Sequence, residues 1–217
     1  MRPYRQQRSS RHPSSIMMNT ATPDTAVFAH SPERAVRATN HVGMILALVS
    51  FTMMFCALFY AYGLLRIRSV AWPPPGVPAV PLLVPSLITV MMVASSLSVE
   101  RARKALALGQ VQSFQRFGIL TVVLGSLFLA LQAGVWVDLW YGGLTLGAGP
   151  YGSLFYFLTA FHALHVLAGL GILVWMVFAA PKADHPEIRA SRAHMSAMFW
   201  HFVGVVWLII FSLVYVF

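Results

Sequence analysis

The chain is short of charge, short of acids above all, and almost without cysteine. Only 10% of its 217 residues are charged, and six are Asp or Glu. Soluble domains carry about 25% charged residues, so there is too little here for an ordinary water-facing surface. The one cysteine, Cys56, excludes an intrachain disulfide framework and any two-cysteine copper or zinc site within the chain. No Gly-rich phosphate loop follows a strand, and no serine-nucleophile motif or paired carboxylate is legible. No window alternates as a barrel strand does, and no repeat recurs at a solenoid period. No secretory signal peptide is visible.

Apolar residues are what the chain has, at 58%. Five runs reach the roughly 20 residues a helix needs to cross the hydrocarbon: 42–65, 77–99, 117–137, 152–180 and 195–217. The expected fold is all-α, a polytopic bundle of five transmembrane helices. The start of the second run is its weakest part, because Pro78, Pro81 and Pro85 crowd it and proline is tolerated only in a first helical turn. Before it, Trp72-Pro73-Pro74-Pro75-Gly76 reads as a stiff turn with an interfacial tryptophan.

Net charge is +9, with 15 Lys and Arg. In a soluble chain that balance would point to nucleic acid, but here the cations flank apolar runs, so no nucleic-acid partner is expected. Thirteen of the 15 lie in the amino-terminal tail and in the second-to-third and fourth-to-fifth connections, and only Arg66 and Arg68 lie on the opposite side. The positive-inside rule then puts the amino terminus inside and the carboxyl terminus outside. Residues 1–40 form a basic, polar segment, expected to be disordered or docked on a partner, ahead of a membrane domain over 41–217. Four Arg and no acid in the first 20 residues also suit an organelle transit peptide, which ranks behind a basic tail beside an anionic membrane surface. Met17 or Met18 is an alternative start.

Ionisable groups within a membrane are functional candidates by default. Here they are mainly His162, His165 and His201, with Gln132, Thr159, Ser95 and Ser96 as polar companions. As metal ligands, the three histidines would form a three-nitrogen site. No carboxylate lies within any apolar run to complete or orient it. Two stacked bis-histidine haems fit less well, because a three-residue step separates His162 and His165 by only about 4.5 Å along the axis. The reading preferred is structural: each imidazole bonds a neighbouring helix or a lipid headgroup. Tyr60, Tyr62, Trp72, Trp136, Trp140, Tyr141 and Tyr151 fall near run ends, where aromatic belts occur. Gly125, and Ala94 with Ser98, permit close helix contact.

Two segments carry a family resemblance. Gly152-Ser153-Leu154-Phe155-Tyr156-Phe157-Leu158-Thr159-Ala160-Phe161-His162-Ala163-Leu164-His165-Val166 resembles the fourth-helix signature of subunit III of the haem-copper oxidases. Trp200-His201-Phe202-Val203-Gly204-Val205-Val206-Trp207 resembles that family's final-helix signature. Gly43-Met44-Ile45-Leu46, the Trp72 proline loop, and Leu124-Gly125 with Phe128 and Gln132 match more weakly, in the right order. Four positions where the family carries acids depart from its pattern: Phe51, Val135, His194 and Gly204. The layout resembles the short bacterial form.

The resemblance implies an accessory subunit with no active site, cofactor or small-molecule substrate of its own. Its partners would be oxidase subunits I and II, which hold haem and copper, and it would keep bound phospholipid. It would work in aerobic electron transport from cytochrome c to oxygen, in a bacterial inner membrane. The third subunit of a quinol oxidase and the companion of nitric oxide reductase are close alternatives; a free-standing transporter or metal-binding helper is more remote. His162, His165, Trp200, His201, Trp72, Gln132 and Thr159 are expected to be structural or lipid-contacting. Replacing these histidines or Trp200 is expected to weaken assembly or turnover stability without removing haem.

Overall fold

The computed structural model describes residues 32–72, 82–147, 149–179 and 186–216. Five helices run in order: α1 (Pro32–Arg68), α2 (Leu83–Ala107), α3 (Val111–Tyr141), α4 (Pro150–Ala179) and α5 (Pro186–Ile210), the last continuing in the wider π form over Phe211–Val216. No strand occurs among the described residues, and all five helices are long and apolar enough to cross a membrane. Three begin with proline, whose fixed φ suits a first helical position and whose missing N–H is no loss there.

The helices outrun the apolar runs. α1 takes in residues 32–40 of the stretch read as a tail; residues 1–31, the proline loop at 73–76, and Pro78 and Pro81 lie outside the described residues. Pro85 is buried in the first turn of α2, where proline is tolerated. α2 continues seven residues past Glu100 to Ala107, so Glu100 is not the end of the span but a side chain within it.

Gly109 stops α2. At φ +73° it occupies the left-handed cap, and its N–H donates to Leu106 O while that of Gln110 donates to Ala105 O, the paired bonds of a Schellman motif. Gly143, at φ +97°, closes α3 in the same way onto Trp140 and Leu139. The three-residue turn at 108–110 folds α3 back along α2.

α2 packs on α3, α3 on α4, α4 on α5 and α5 on α2, a closed four-helix ring, with α1 leaning chiefly on α5 and α4. Glycine sets how closely the ring closes: a Cβ on Gly125 of α3 would stand 2.6 Å from the Trp200 ring, and one on Gly169 of α4 would stand 3.2 Å from it. Ser98 is buried and donates to Phe117 O at 2.9 Å across the α2–α3 seam. Ala94 faces outward instead.

Candidate functional site

The buried polar side chains gather where α2, α3, α4 and α5 meet, and Ser95, Ser98, Gln132 and Thr159 each tie one helix to another. On α5, Trp200 and Trp207 lie seven residues apart, two turns on one face, and both are wholly buried. The Trp200 indole N–H donates to Ser95 Oγ at 3.0 Å, and Ser95 donates to Met92 O at 2.7 Å. The Trp207 indole N–H donates to Thr89 Oγ1 at 2.9 Å, and Thr89 donates to Pro85 O at 2.7 Å. Each tryptophan therefore hangs on an α2 hydroxyl whose own proton is spent on its helix, which fixes the direction of both bonds.

The other side of the core repeats the arrangement. Gln132 Nε2 donates to the Tyr215 hydroxyl at 3.3 Å, joining α3 to the π-helical end. Trp136 Nε1 donates to Thr159 Oγ1 at 3.1 Å, and Thr159 donates to Phe155 O at 2.7 Å. At the end of α1, Trp72 Nε1 donates to the Tyr62 hydroxyl at 3.2 Å, and its ring meets Tyr151 of α4 edge-on at 4.8 Å. Tyr62, Tyr151 and Trp72 thus pin α1 to α4, while Tyr60, Trp140 and Tyr141 are exposed as belt residues are.

The histidines part company. His162 is 1% exposed and boxed by Trp207 at 5.5 Å, Phe128 at 6.0 Å and Phe55 at 6.3 Å. Neither of its ring nitrogens has a hydrogen-bond partner among the described residues. His165 bonds its own helix, Nδ1 to Phe161 O at 2.8 Å, between Phe51 at 4.6 Å and Phe55 at 5.3 Å. The expected bonds to neighbouring helices are therefore not formed: aromatic rings occupy the space a polar partner would need. His201 points elsewhere, its Nε2 3.9 Å from Glu100 Oε2 across the α2–α5 seam. Glu100 accepts from Arg103 at 2.9 and 2.6 Å. This corrects the expectation that no span holds a carboxylate. Among the described residues no group of three or more His, Cys, Asp or Glu side chains converges to hold a metal.

The four departures from the acid pattern are packing positions or edges. Phe51 lies against His165, and Val135 is buried. His194 stacks on His41 of α1 at 5.8 Å and 16°. Gly204 faces Ser96, to which a Cβ would come within 3.1 Å. Sequence reasoning misses Thr89: it lies six residues before Ser95 whereas the tryptophans are seven apart, so helical spacing does not pair the two sets.

For His162 the geometry reverses the expectation that its replacement weakens the complex, because neither ring nitrogen has a partner among the described residues. A buried polar ring without partners contributes less than an apolar ring of similar shape, so His162→Phe should leave the thermal stability of the assembled protein unchanged or raised. A clear drop in melting temperature would mean that a ring nitrogen is engaged after all.

A family model described as cytochrome c oxidase subunit III matches residues 19–217. The cytochrome c oxidase subunit 3 of Thermostichus vulcanus is 31% identical over 176 residues, covering 81% of this chain and 86% of the relative. That of Synechocystis sp. is 34% identical over 175 residues, 80% of this chain and 73% of the relative. That of Bos taurus is 32% identical over 192 residues, 86% and 72% respectively.

Proposed function

Because the chain belongs to the cytochrome c oxidase subunit III family, we propose that it is the accessory, cofactor-free subunit of a proton-pumping terminal oxidase. Haem and copper are held by subunits I and II, electrons come from cytochrome c, and this chain braces the catalytic subunit and keeps phospholipid against it. The carrying observation is that the two signature segments form one packing unit. The His162 ring of α4 lies on the Trp207 ring of α5 at 5.5 Å, and Trp200 fills the space left by Gly125 and Gly169. The Trp200 and Trp207 indole N–H groups and the Thr159 hydroxyl oxygen are turned to helix–helix ties, as a structural part requires. The charge distribution supports an amino terminus inside, with 13 of 15 cations on that side. The membrane is the inner membrane of a bacterium, in keeping with the short form the sequence resembles.

Affinity purification of the intact chain, tagged at its amino terminus and solubilised in mild detergent, tests this reading by mass spectrometry. A many-helix haem protein and a copper-binding subunit should copurify in fixed ratio. Recovery of the chain alone would contradict it.

A further inference from the structure

At the carboxyl-terminal end of α3 an open pocket of about 350 Å³ is lined by Trp136, Val137, Trp140 and Tyr141, with Tyr156 of α4 as its other wall. An aromatic belt accounts for rings near a helix end, but not for four of them converging on one volume. That volume falls at the small end of ligand pockets, which span about 300–1,000 Å³. Two walls are fixed by their polar atoms. Trp136 Nε1 donates to Thr159 Oγ1 at 3.1 Å, and the Tyr156 hydroxyl donates to Leu144 O at 2.7 Å, so what these two residues have left for the pocket is ring surface. Trp140 meets Tyr156 edge-on at 6.0 Å and 69°. Trp140 and Tyr141 are 49 and 87% exposed, so the pocket opens outward.

The electrostatics of this place suit a cation. Aromatic faces carry the negative part of the ring quadrupole, and partial negative charge collects at the last turn of a helix. Asp138 adds a full charge: it is exposed, and it lies three residues before Tyr141, which makes the two neighbours on the helix surface. From residue 117 to residue 181 it is the one acid, and that stretch holds no Lys or Arg. Neither wall of the pocket nor the connection between α3 and α4 therefore supplies a cation of its own. Among the described residues, the arginine set over an aromatic ring is Arg192 on Trp175, at the other end of α4.

We propose that this pocket binds the quaternary ammonium group of a small, water-soluble organic cation of the choline class. The strongly hydrated ammonium of a lysine side chain would give up its water against ring carbon, whereas a trimethylammonium group presents methyls that aromatic faces hold. A choline headgroup on a lipid fits less well. Its phosphate lies a few atoms from the nitrogen, and that anion would meet Asp138 with no Lys or Arg from residues 117–181 to receive it. Such a site is independent of the accessory role proposed above.

The test is ligand-observed NMR on the purified, assembled complex, in a detergent free of quaternary ammonium, with saturation transferred to the methyl protons of choline. Choline should bind saturably, and its neutral isostere, with carbon in place of the nitrogen, should bind about fivefold more weakly or less. Trp140→Leu should weaken choline binding about threefold, the loss of one exposed cation–π contact, and Trp140→Phe should recover most of it. Asp138→Asn, an exposed and nearly isosteric change, should weaken choline about twofold and leave the isostere unaffected. Trp175→Leu, at the other end of α4, is the control and should leave choline binding unchanged. Equal binding of choline and the isostere overturns the proposal, as does unchanged choline binding in Trp140→Leu or Asp138→Asn. Absence of saturable transfer, as when a partner subunit covers the pocket, overturns it too. Phosphocholine should bind more weakly than choline; tighter binding would assign the pocket to a lipid headgroup and also overturn it.

Discussion

Trp200→Ala should cause the largest loss of stability of any single truncation in the bundle, on the order of 3–5 kcal/mol. The ring is wholly buried, and its six-membered part lies against both Gly125 and Gly169. Two glycines have no side chains to relax into the vacated space, so the cavity persists. Between membrane helices there is no hydrophobic driving force to compensate, and packing carries the association. The hydrogen bond is the smaller part: Ser95 keeps its bond to Met92 O when the indole is gone, and a typical net hydrogen bond contributes only about 1 kcal/mol. Trp200→Phe should therefore cost well under half as much as Trp200→Ala, measured as thermal unfolding of the purified complex together with its subunit content. Equal losses would place the energy in the indole N–H instead.

Gly125→Val should be nearly as damaging, from the opposite cause. A Cβ at this position would stand 2.6 Å from Trp200 Cη2 and 2.9 Å from Leu170 Cδ2. The indole is held by Ser95 on one side and Gly169 on the other, so α3 itself has to move off the ring, a strain of about 3 kcal/mol or more. Gly134→Val on the same helix is the control, since nothing lies within 4 Å of its added Cβ, and it should be tolerated. Combining Gly125→Val with Trp200→Ala should cost clearly less than the two single losses together, because one change supplies the room the other demands. Strict additivity would mean that the two positions do not share a contact.

Much of this architecture is legible from hydropathy, because a membrane span needs apolar length and the chain has five such runs. The helix ends are less so. Apolar runs mark the hydrocarbon, whereas helices end where the backbone is capped. Glu100 looked like a terminus because it is charged, yet Arg103 and Lys104 neutralise it one turn on, and α2 stops only at Gly109. The candidate site was legible as two segments whose residue types match a known signature. Its wiring was not. The partners of Trp200 and Trp207 are Ser95 and Thr89, more than 100 residues earlier, and spacing along one helix does not say which helix lies opposite. The histidines show the same limit. A three-residue step puts His162 and His165 near one depth, but only the packed neighbours decide that one meets Trp207 and the other Phe51. His201, one residue after Trp200, turns to α2 and Glu100.

A subunit of a haem-copper oxidase carries haem-bearing partners with it, whereas a protein acting alone does not. A reduced-minus-oxidised optical spectrum of the complex that copurifies with the intact, tagged chain in mild detergent distinguishes the two most directly. The absorption of a-type haem should appear in constant proportion to this chain. A preparation rich in the chain but without haem, or one carrying only b- and c-type haem, would contradict it.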